Sequence, residues 1–494
     1  MRSLRLPAAL LLVAAAAQAT RVPFRWNQIT FAYAAYFREY VRIVELEGPL
    51  SAATTFVGAH PPGYSLLFAA LMAAAAPPLV WMTASGLFSV SVVATVGAAM
   101  RWGPAATVAA AVLAVSPYRN AYGLEVNNYP MLVGAAGLQW LAFAHWSRRT
   151  DRRSAVLLGL ATAGVTWVHA LGVTLPLAQL LAVRRRAFLL PALGAAALCL
   201  PLLVGVAANA EAPPINAPPG WGAALSAILV GLPGRYGAGW ATWLLVGVAA
   251  MGIREAFRGA EGDEELGRAA AVHACTGLGV VAWMVARGAA ADHQFPYYLV
   301  LLPAGAILVG LGAAGRFARP ARVVVGVALL GHLGVSAGDF GAARDAFAGA
   351  DRTHGLVADA VEAWGPGDSL LLVQFPVHGD DDKDVLDPAY AHLRLRDRIW
   401  FDDPEVPTQV PADPYFGQPV RTTRGRWLYT FATFDPERFD LIHDAVLARG
   451  ERLIVVHYDT AQQPQDGERI RFWATAKGRR PQRDENEALW VFLP

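Results

Sequence analysis

A polytopic bundle of α-helices in a membrane, with a soluble α/β domain at its C-terminal end, is the fold class that this sequence predicts. Charged residues make up only 16% of the 494 positions and hydrophobic residues 55%, whereas a soluble domain carries roughly 25% charge. Apolar runs of about membrane-spanning length recur from residue 5 to residue 338. After residue 339 the runs shorten and charge becomes frequent. Taken together, the runs predict about 11 to 13 spans.

The first element, "MRSLRLPAALLLVAAAAQA", places two arginines before an apolar stretch that ends in small residues. Such a pattern also describes a signal peptide, but a chain that is itself a membrane bundle favours a first transmembrane helix with its N-terminus inside. A long first outer loop comes next, residues 21–60. It reads partly as an amphipathic helix, with Phe31, Tyr33, Tyr36, Phe37 and Tyr40 beside Arg38, Glu39 and Arg42. Between His60 and Arg101 two apolar helices are split at Pro77–Pro78. Two full crossings there give the wrong parity for the later segments, so either one helix is re-entrant or broken, or Arg101 lies outside.

The stretch "SPYRNAYGLEVNNYP", residues 116–130, sets Arg119, Glu125 and three tyrosines between two apolar helices. From residue 148 the basic loops "RRTDRR" (148–153), "RRR" (184–186), "REAFRGAEGDEELGR" (254–268) and "RFARPAR" (316–322) mark the cytoplasmic side. The segments between them alternate. Their outer tips carry Trp167 and His169, then a Pro-, Gly- and Trp-rich loop after residue 208, then "RGAAADHQFP" with Asp292 and His293. The same alternation puts 116–130 outside. The last membrane helix ends near Gly338 and runs outward, which places residues 339–494 outside the membrane. There "SLLLVQF", "RWLYTF", "RLIVVHY" and "ALWVFL" read as strands, and "HGLVADAVEAW" and "RFDLIHDAVLARG" as helices. The strand–helix–strand run from "RWLYTF" to "RLIVVHY" is the pattern of a βαβ unit.

Several function classes are disfavoured. A net charge of +2 without a basic, aromatic-interleaved tract gives no nucleic-acid partner. The two cysteines, Cys199 and Cys275, lie in apolar segments and support neither a disulfide framework nor a thiolate metal site. No Walker-type loop, dinucleotide fingerprint or His-Glu-x-x-His occurs, which speaks against an ATP-driven transporter and a direct nucleotide-sugar donor. "HGDDDKD" (378–384) offers carboxylates to calcium but lacks the full spacing of an EF-hand loop, and reads as a solvated turn. His273 and His332 read as core histidines, and His145 beside Trp146 as an interfacial anchor. A vestibule at the outer mouth remains, collecting Arg25, Asn27, Gln28, Arg38, Glu39, His60, Arg119, Glu125, His169, Asp292 and His293.

Four stretches in order resemble one family. "HPPGYSLLFAALM" (60–72) resembles the start of the second helix in the dolichyl-phosphate-mannose protein mannosyltransferases, a family that also takes in the bacterial aminoarabinose transferases. "SPYRNAYGLEVNNY" resembles the family's Ser-Pro element followed by Tyr-x-x-Glu-x-Arg-x-Tyr, matching at Ser116, Pro117, Tyr122, Glu125 and Tyr129. "TWVHALGVTLPLAQLLA" is similar to a helix start with His169 at the His position, and "QFPYYLVLLPAGAILVGLG" to a late helix with a proline, here Pro303. The stretches run from about residue 20 to 316. They imply the GT-C membrane glycosyltransferase fold, a polyprenyl-phosphate sugar donor, an extracytoplasmic acceptor (protein, lipid or glycan) and a cytoplasmic-membrane location. No cofactor is required by the resemblance, though a divalent cation stays open.

The resemblance implies charge at three places where this chain has none. Asn27 and Gln28 stand where an acidic pair is expected, Asn127 where an arginine is, and Tyr297 where a late, phosphate-contacting arginine is. Glu39, Glu45 or Glu47 offers a carboxylate instead, and Arg25, Arg38 or Arg119 a phosphate contact; Glu125 or His293 is an alternative base. The expected catalytic set is therefore Glu125, Glu39 and His293. The expected substrate-binding set is Asn27, Gln28, Arg38, His60, Arg119, Tyr122, Tyr129, His169 and Tyr297. A catalytically inactive relative that binds lipid-linked sugar or partner proteins is the alternative. A transporter, which calls for charged or broken mid-membrane helices and internal repeats, ranks last.

Overall fold

The computed structural model describes residues 5–21, 40–41, 43–55, 61–74, 78–124, 126–183, 185–208, 220–231, 239–258, 264–287 and 295–338, then 368–373, 399–400, 420–422, 427–431, 436–457, 466–477, 483–485 and 489–492. The chain divides into two compact units, with the boundary at Ala342.

The first unit is helical. Its helices are α1 (Arg5–Ala19), α2 (Pro49–Thr54), α3 (Gly63–Ala73), α4 (Pro78–Ala99), α5 (Pro104–Val115), α6 (Pro117–Tyr122), α7 (Asn128–Arg149), α8 (Arg152–Val168), α9 (Thr174–Ala182), α10 (Leu189–Leu198), α11 (Leu200–Ala208), α12 (Gly220–Ser226), α13 (Gly239–Phe257), α14 (Glu264–Ala286) and α15 (Leu302–Ala314), closed by α16 (Ala318–Gly338). Among the described residues three 3-10 turns, Ala170–Val173, Arg186–Phe188 and Phe295–Leu301, interrupt the series. Among the described residues three helices are long and apolar enough to cross a membrane, Leu79–Ala99, Glu264–Ala286 and Ala318–Gly338, and further apolar helices are shorter. The apolar run is split, with α3 ending at Ala73 and α4 beginning at Pro78. α3, however, has 11 residues, a rise of about 16 Å, half the roughly 30 Å of a hydrocarbon core.

Small residues let the backbones approach. A Cβ on Gly134 of α7 would stand 2.5 Å from the Phe88 carbonyl oxygen of α4, and one on Gly252 of α13 would collide with the Leu308 carbonyl of α15. With no hydrophobic driving force between helices in lipid, such approach and interhelical hydrogen bonds supply the cohesion. One set of bonds is reciprocal: the Gln139 amide donates to Gln179 Oε1 at 2.7 Å and Gln179 donates back at 2.9 Å, with Thr162 Oγ1 3.3 Å from Gln139 Nε2. It ties α7, α8 and α9 together. His273 and His332 are buried, as core histidines should be, at 3.0 Å from Thr174 Oγ1 and 3.3 Å from Thr242 Oγ1. Because the Thr174 hydroxyl donates to the Leu171 carbonyl at 2.7 Å, His273 Nε2 is the donor of its pair. Trp146 departs from the interfacial expectation. It is buried, with Phe143 and Phe188 centroids at 6.2 and 5.4 Å, because it shares the aromatic inner face of α7 with Trp140 and Phe143. The expected loop 254–268 is also largely helical: α13 continues to Phe257, and α14 begins at Glu264, where Glu264 and Glu265 complement a helix N-terminus.

The basic loops share one end of this unit. An Arg148 Nη2–H donates to the Ala99 carbonyl. Arg185 donates to the Ser147 carbonyl at 3.2 Å and pairs with Glu265 at 2.8 Å. Gly267 lies against Ala256, and Gly315 against Glu255. Residues 99–102 thus end beside 147–153, not at the opposite end.

In the second unit a seven-stranded sheet runs in the order β2-β3-β4-β1-β5-β7-β6. The strands are β1 (Asp368–Val373), β2 (Ile399–Trp400), β3 (Val420–Thr422), β4 (Trp427–Phe431), β5 (Arg452–His457), β6 (Arg483–Glu485) and β7 (Leu489–Phe492), with helices α17 (Pro436–Ala448) and α18 (Asp466–Ala476). β1 pairs in parallel with both β4 and β5, and the outer pairs are antiparallel. The run β4–α17–β5 is the expected βαβ unit, with β1 lying between its two strands. Its core gathers Phe439, Ile442, Trp473 and Phe492. The Phe439 and Trp473 rings meet edge-on at 4.4 Å, and Asp368 takes a two-pronged bond from Arg452 at 2.7 and 2.6 Å. "HGLVADAVEAW" and "HGDDDKD" lie outside the described residues.

Candidate active site

The hairpin 116–130 is not a solvated tip. α5 has 12 residues, about 18 Å, so the chain turns back while still beside the middle of α4. Ser116 caps α6, its Oγ accepting the Arg119 N–H at 3.4 Å, and Pro117 occupies the first turn, where a missing N–H costs nothing. Arg119 is 1% exposed. Its Nε donates to the Leu113 carbonyl at 2.8 Å, Nη2 to the Ala114 carbonyl at 2.9 Å and to Asn120 Oδ1 at 2.6 Å, and Nη1 to Ser89 Oγ at 3.2 Å. A cation thus closes the carbonyl end of α5, the end that the helix dipole makes negative. From α1, the Gln18 amide also donates to Asn120 Oδ1, at 3.2 Å. Gly123 leaves room for that Gln18 side chain, which a Cβ would strike.

Asn127, which stands where the family resemblance implies arginine, has a structural task. Its Oδ1 accepts the Tyr129 N–H at 2.9 Å and caps α7. The cap sets Tyr129 on the first turn, edge-on to Tyr122 with centroids 5.7 Å apart. His169 stands on the other side of Tyr129, with a centroid distance of 6.4 Å. His169 is extended, between the end of α8 and the turn Ala170–Val173, and its Nδ1 accepts the Leu171 N–H at 3.1 Å. In neutral His169 the proton therefore sits on Nε2.

The other two motifs come to the same place. Gly63, directly after the His-Pro-Pro run, lies under the Trp167 carbonyl, 2.5 Å from where its Cβ would be. α3 packs on α7 and α8, and the turn Phe295–Leu301, which contains Tyr297, packs on α6, α7 and the turn Ala170–Val173. Segments about 230 residues apart in sequence thus form one ring at the end opposite the basic loops.

Of the expected site residues, Arg119, Tyr122, Tyr129 and His169 are brought together here, and Tyr297 lies in an adjoining turn. Glu125, Glu39, His293, Asn27, Gln28, Arg38 and His60 lie outside the described residues, as do Arg25 and Asp292. Glu47 accepts a bond from Ser51 Oγ at 2.5 Å. The supporting residues Gln18 and Asn120 were not expected, and Asn127 was marked only as a departure from the family pattern; for Gln18, a lone glutamine near the end of an apolar helix was the one available signal. Among the described residues no group of three or more His, Cys, Asp and Glu side chains is placed to hold a metal ion.

No protein-family model matches the chain, and no curated protein matches it. Solved structures do. ArnT from Cupriavidus metallidurans in the apo state superimposes with a TM-score of 0.53 at 12% identity, covering 92% of each chain. ArnT from the same organism bound to undecaprenyl phosphate gives 0.52 at 12% identity, covering 99% of this chain and 97% of that one. At this identity the fold is what is shared. The chain has the GT-C fold seen in ArnT, carried by a sequence only 12% identical to it.

Proposed function

We propose that this protein is an integral-membrane glycosyltransferase that moves a sugar, with inversion, from a polyprenyl-phosphate carrier to an acceptor outside the cytoplasmic membrane. The convergence of the four motif segments on one sunken ring, with Tyr129 in ring contact with both Tyr122 and His169, carries this reading. The ArnT fold, solved in one case with undecaprenyl phosphate bound, supports the class of donor. The ring faces outward, the basic loops face the cytoplasm, and the sheet unit is extracytoplasmic, where it helps bind the acceptor.

In the reaction an acceptor hydroxyl attacks the anomeric carbon. The new C–O bond forms as the bond to the carrier phosphate breaks, the proton passes to a base, and the polyprenyl phosphate leaves with its electron pair. Glu125, Glu39 and His293 are the candidate bases. Tyr122 and Tyr129 present faces and hydroxyls to a sugar, and His169 Nε2–H is a donor for a phosphate or hydroxyl oxygen. Arg119 acts as a positioning residue, holding the hairpin through the end of α5.

The test is sugar transfer by membranes carrying wild type, Glu125→Gln, Glu39→Gln and His293→Gln, with a panel of radiolabelled polyprenyl-phosphate sugars. Wild type transfers, and one variant loses about 10²- to 10⁴-fold in rate, the usual worth of a general base. Full activity in all three variants would remove these bases from the mechanism. Asn127 favours a second reading, since its cap occupies the position of an implied active-site arginine. An inactive relative would bind the donor and turn none of it over.

A further inference from the structure

A groove of about 760 Å³ runs along the outer surface of the first unit between α7 and α8. Leu138 and Leu141 form one wall, Leu157 and Leu160 the other, and Gly164 lies at its inner end. Leu138, Leu157 and Leu160 are about half exposed, so in a bilayer the groove opens to lipid. At its mouth stand His145, Arg149, Asp151 and Arg153. The turn between the helices explains this mouth. Thr150 ends α7 in the left-handed conformation, with φ of 53°, and Asp151 caps α8 by accepting the Ser154 N–H at 2.7 Å. The two arginines are thus held on either side of a two-residue turn. Asp151 is exposed and lies below the usual carboxylate range, chiefly through the bonds from Ser154 and with smaller help from His145 and Arg149. It offsets one of the two guanidinium charges and leaves the mouth cationic.

We propose that this groove holds an anionic glycerophospholipid from the leaflet on the basic side, with its phosphodiester between Arg149 and Arg153 and one acyl chain against the leucines. Length supports a lipid of one leaflet. From Ala135 to Arg149 the groove follows α7 for about 21 Å, against about 15 Å for the hydrocarbon of a single leaflet. Charge supports an anionic head group, since basic pockets between membrane helices on the cytoplasmic side bind such head groups. The mouth lies at the end of the bundle opposite Tyr122, Tyr129 and His169, so the lipid is distinct from the proposed sugar carrier, and the proposal stands whether or not the chain transfers sugar.

Native mass spectrometry of the full chain in a neutral detergent, offered equal amounts of phosphatidylglycerol and phosphatidylcholine of matched chains, tests it. Wild type retains phosphatidylglycerol about tenfold over phosphatidylcholine, allowing for the opposing Asp151. Arg149→Gln with Arg153→Gln brings the ratio to about one. Gly164→Leu, at a position where an added Cβ meets nothing within 4 Å, fills the groove without disturbing the backbone and lowers retention of phosphatidylglycerol. Equal retention of both lipids by wild type would overturn the proposal, as would an unchanged preference in the double variant. If undecaprenyl phosphate displaces phosphatidylglycerol from wild type and loses its hold in the double variant, the groove belongs to the carrier lipid and the proposal also fails.

Discussion

Arg119 concentrates the difficulty of keeping a full charge inside an apolar bundle. Four acceptors surround its guanidinium, two of them carbonyls of the last turn of α5, of which Leu113's also accepts the Ser116 N–H at 3.4 Å. Arg119→Leu removes the guanidinium from all four acceptors and is expected to cost on the order of 2–3 kcal/mol, since hydrogen bonds to a charged group are the strong ones. Arg119→Lys keeps the charge but offers a single nitrogen to a fork-shaped set of acceptors, and should recover only part of that loss. Denaturant unfolding of the purified protein measures both, and equal stability of all three forms would remove Arg119 from its positioning role. Tyr122, Tyr129 and His169 were legible in the sequence because motif order and spacing mark them. The Gln18–Asn120 bond was not, because it joins positions 102 residues apart and no local pattern announces such a partner.

Among the elements, the Gln139–Gln179 pair makes a sharp expectation. Removing one amide leaves the other buried without its reciprocal partner, whereas removing both leaves apolar neighbours. Gln139→Leu or Gln179→Leu alone should therefore cost about 1–2 kcal/mol, and the double variant less than the sum. A double-mutant cycle on unfolding decides it; strict additivity would mean that the amides do not act as a pair. Elements with a long apolar or alternating pattern were legible: the α8–α9 pair with His169 at its tip, the paired helices split at Pro77–Pro78, and the four strands β1, β4, β5 and β7. β2, β3 and β6 were not, at two to three residues each, too short to show alternation. α18 was hidden by its charges, and the loop expected at 254–268 gave way because acidic residues favour the first turn of a helix.

For the whole molecule, the parity left open between His60 and Arg101 has a physical answer. α3 is half a crossing long, and Arg148 meets the end of α4 at Ala99, so Gly103 belongs with the basic loops. In a background with Cys199 and Cys275 replaced by alanine, single cysteines at Gly103, Thr150 and Arg316 should react from one side of sealed membranes, and one at Thr20 from the other. Gly103 labelling together with Thr20 would sink this topology.

The short α5 has an electrical consequence. Its carbonyl end, with Arg119 on it, stops about 18 Å from the basic face, well inside a hydrocarbon layer of roughly 30 Å. Any anion that comes to rest at that depth has crossed part of the membrane voltage. A full crossing is worth about 2.3 kcal/mol per charge at 100 mV, so the toll at the sunken ring is at most about 1 kcal/mol. In the proposed orientation, with the ring outward and the interior negative, that voltage opposes the proposed carrier phosphate, and a depolarised vesicle should bind it up to about fivefold more tightly than an energised one.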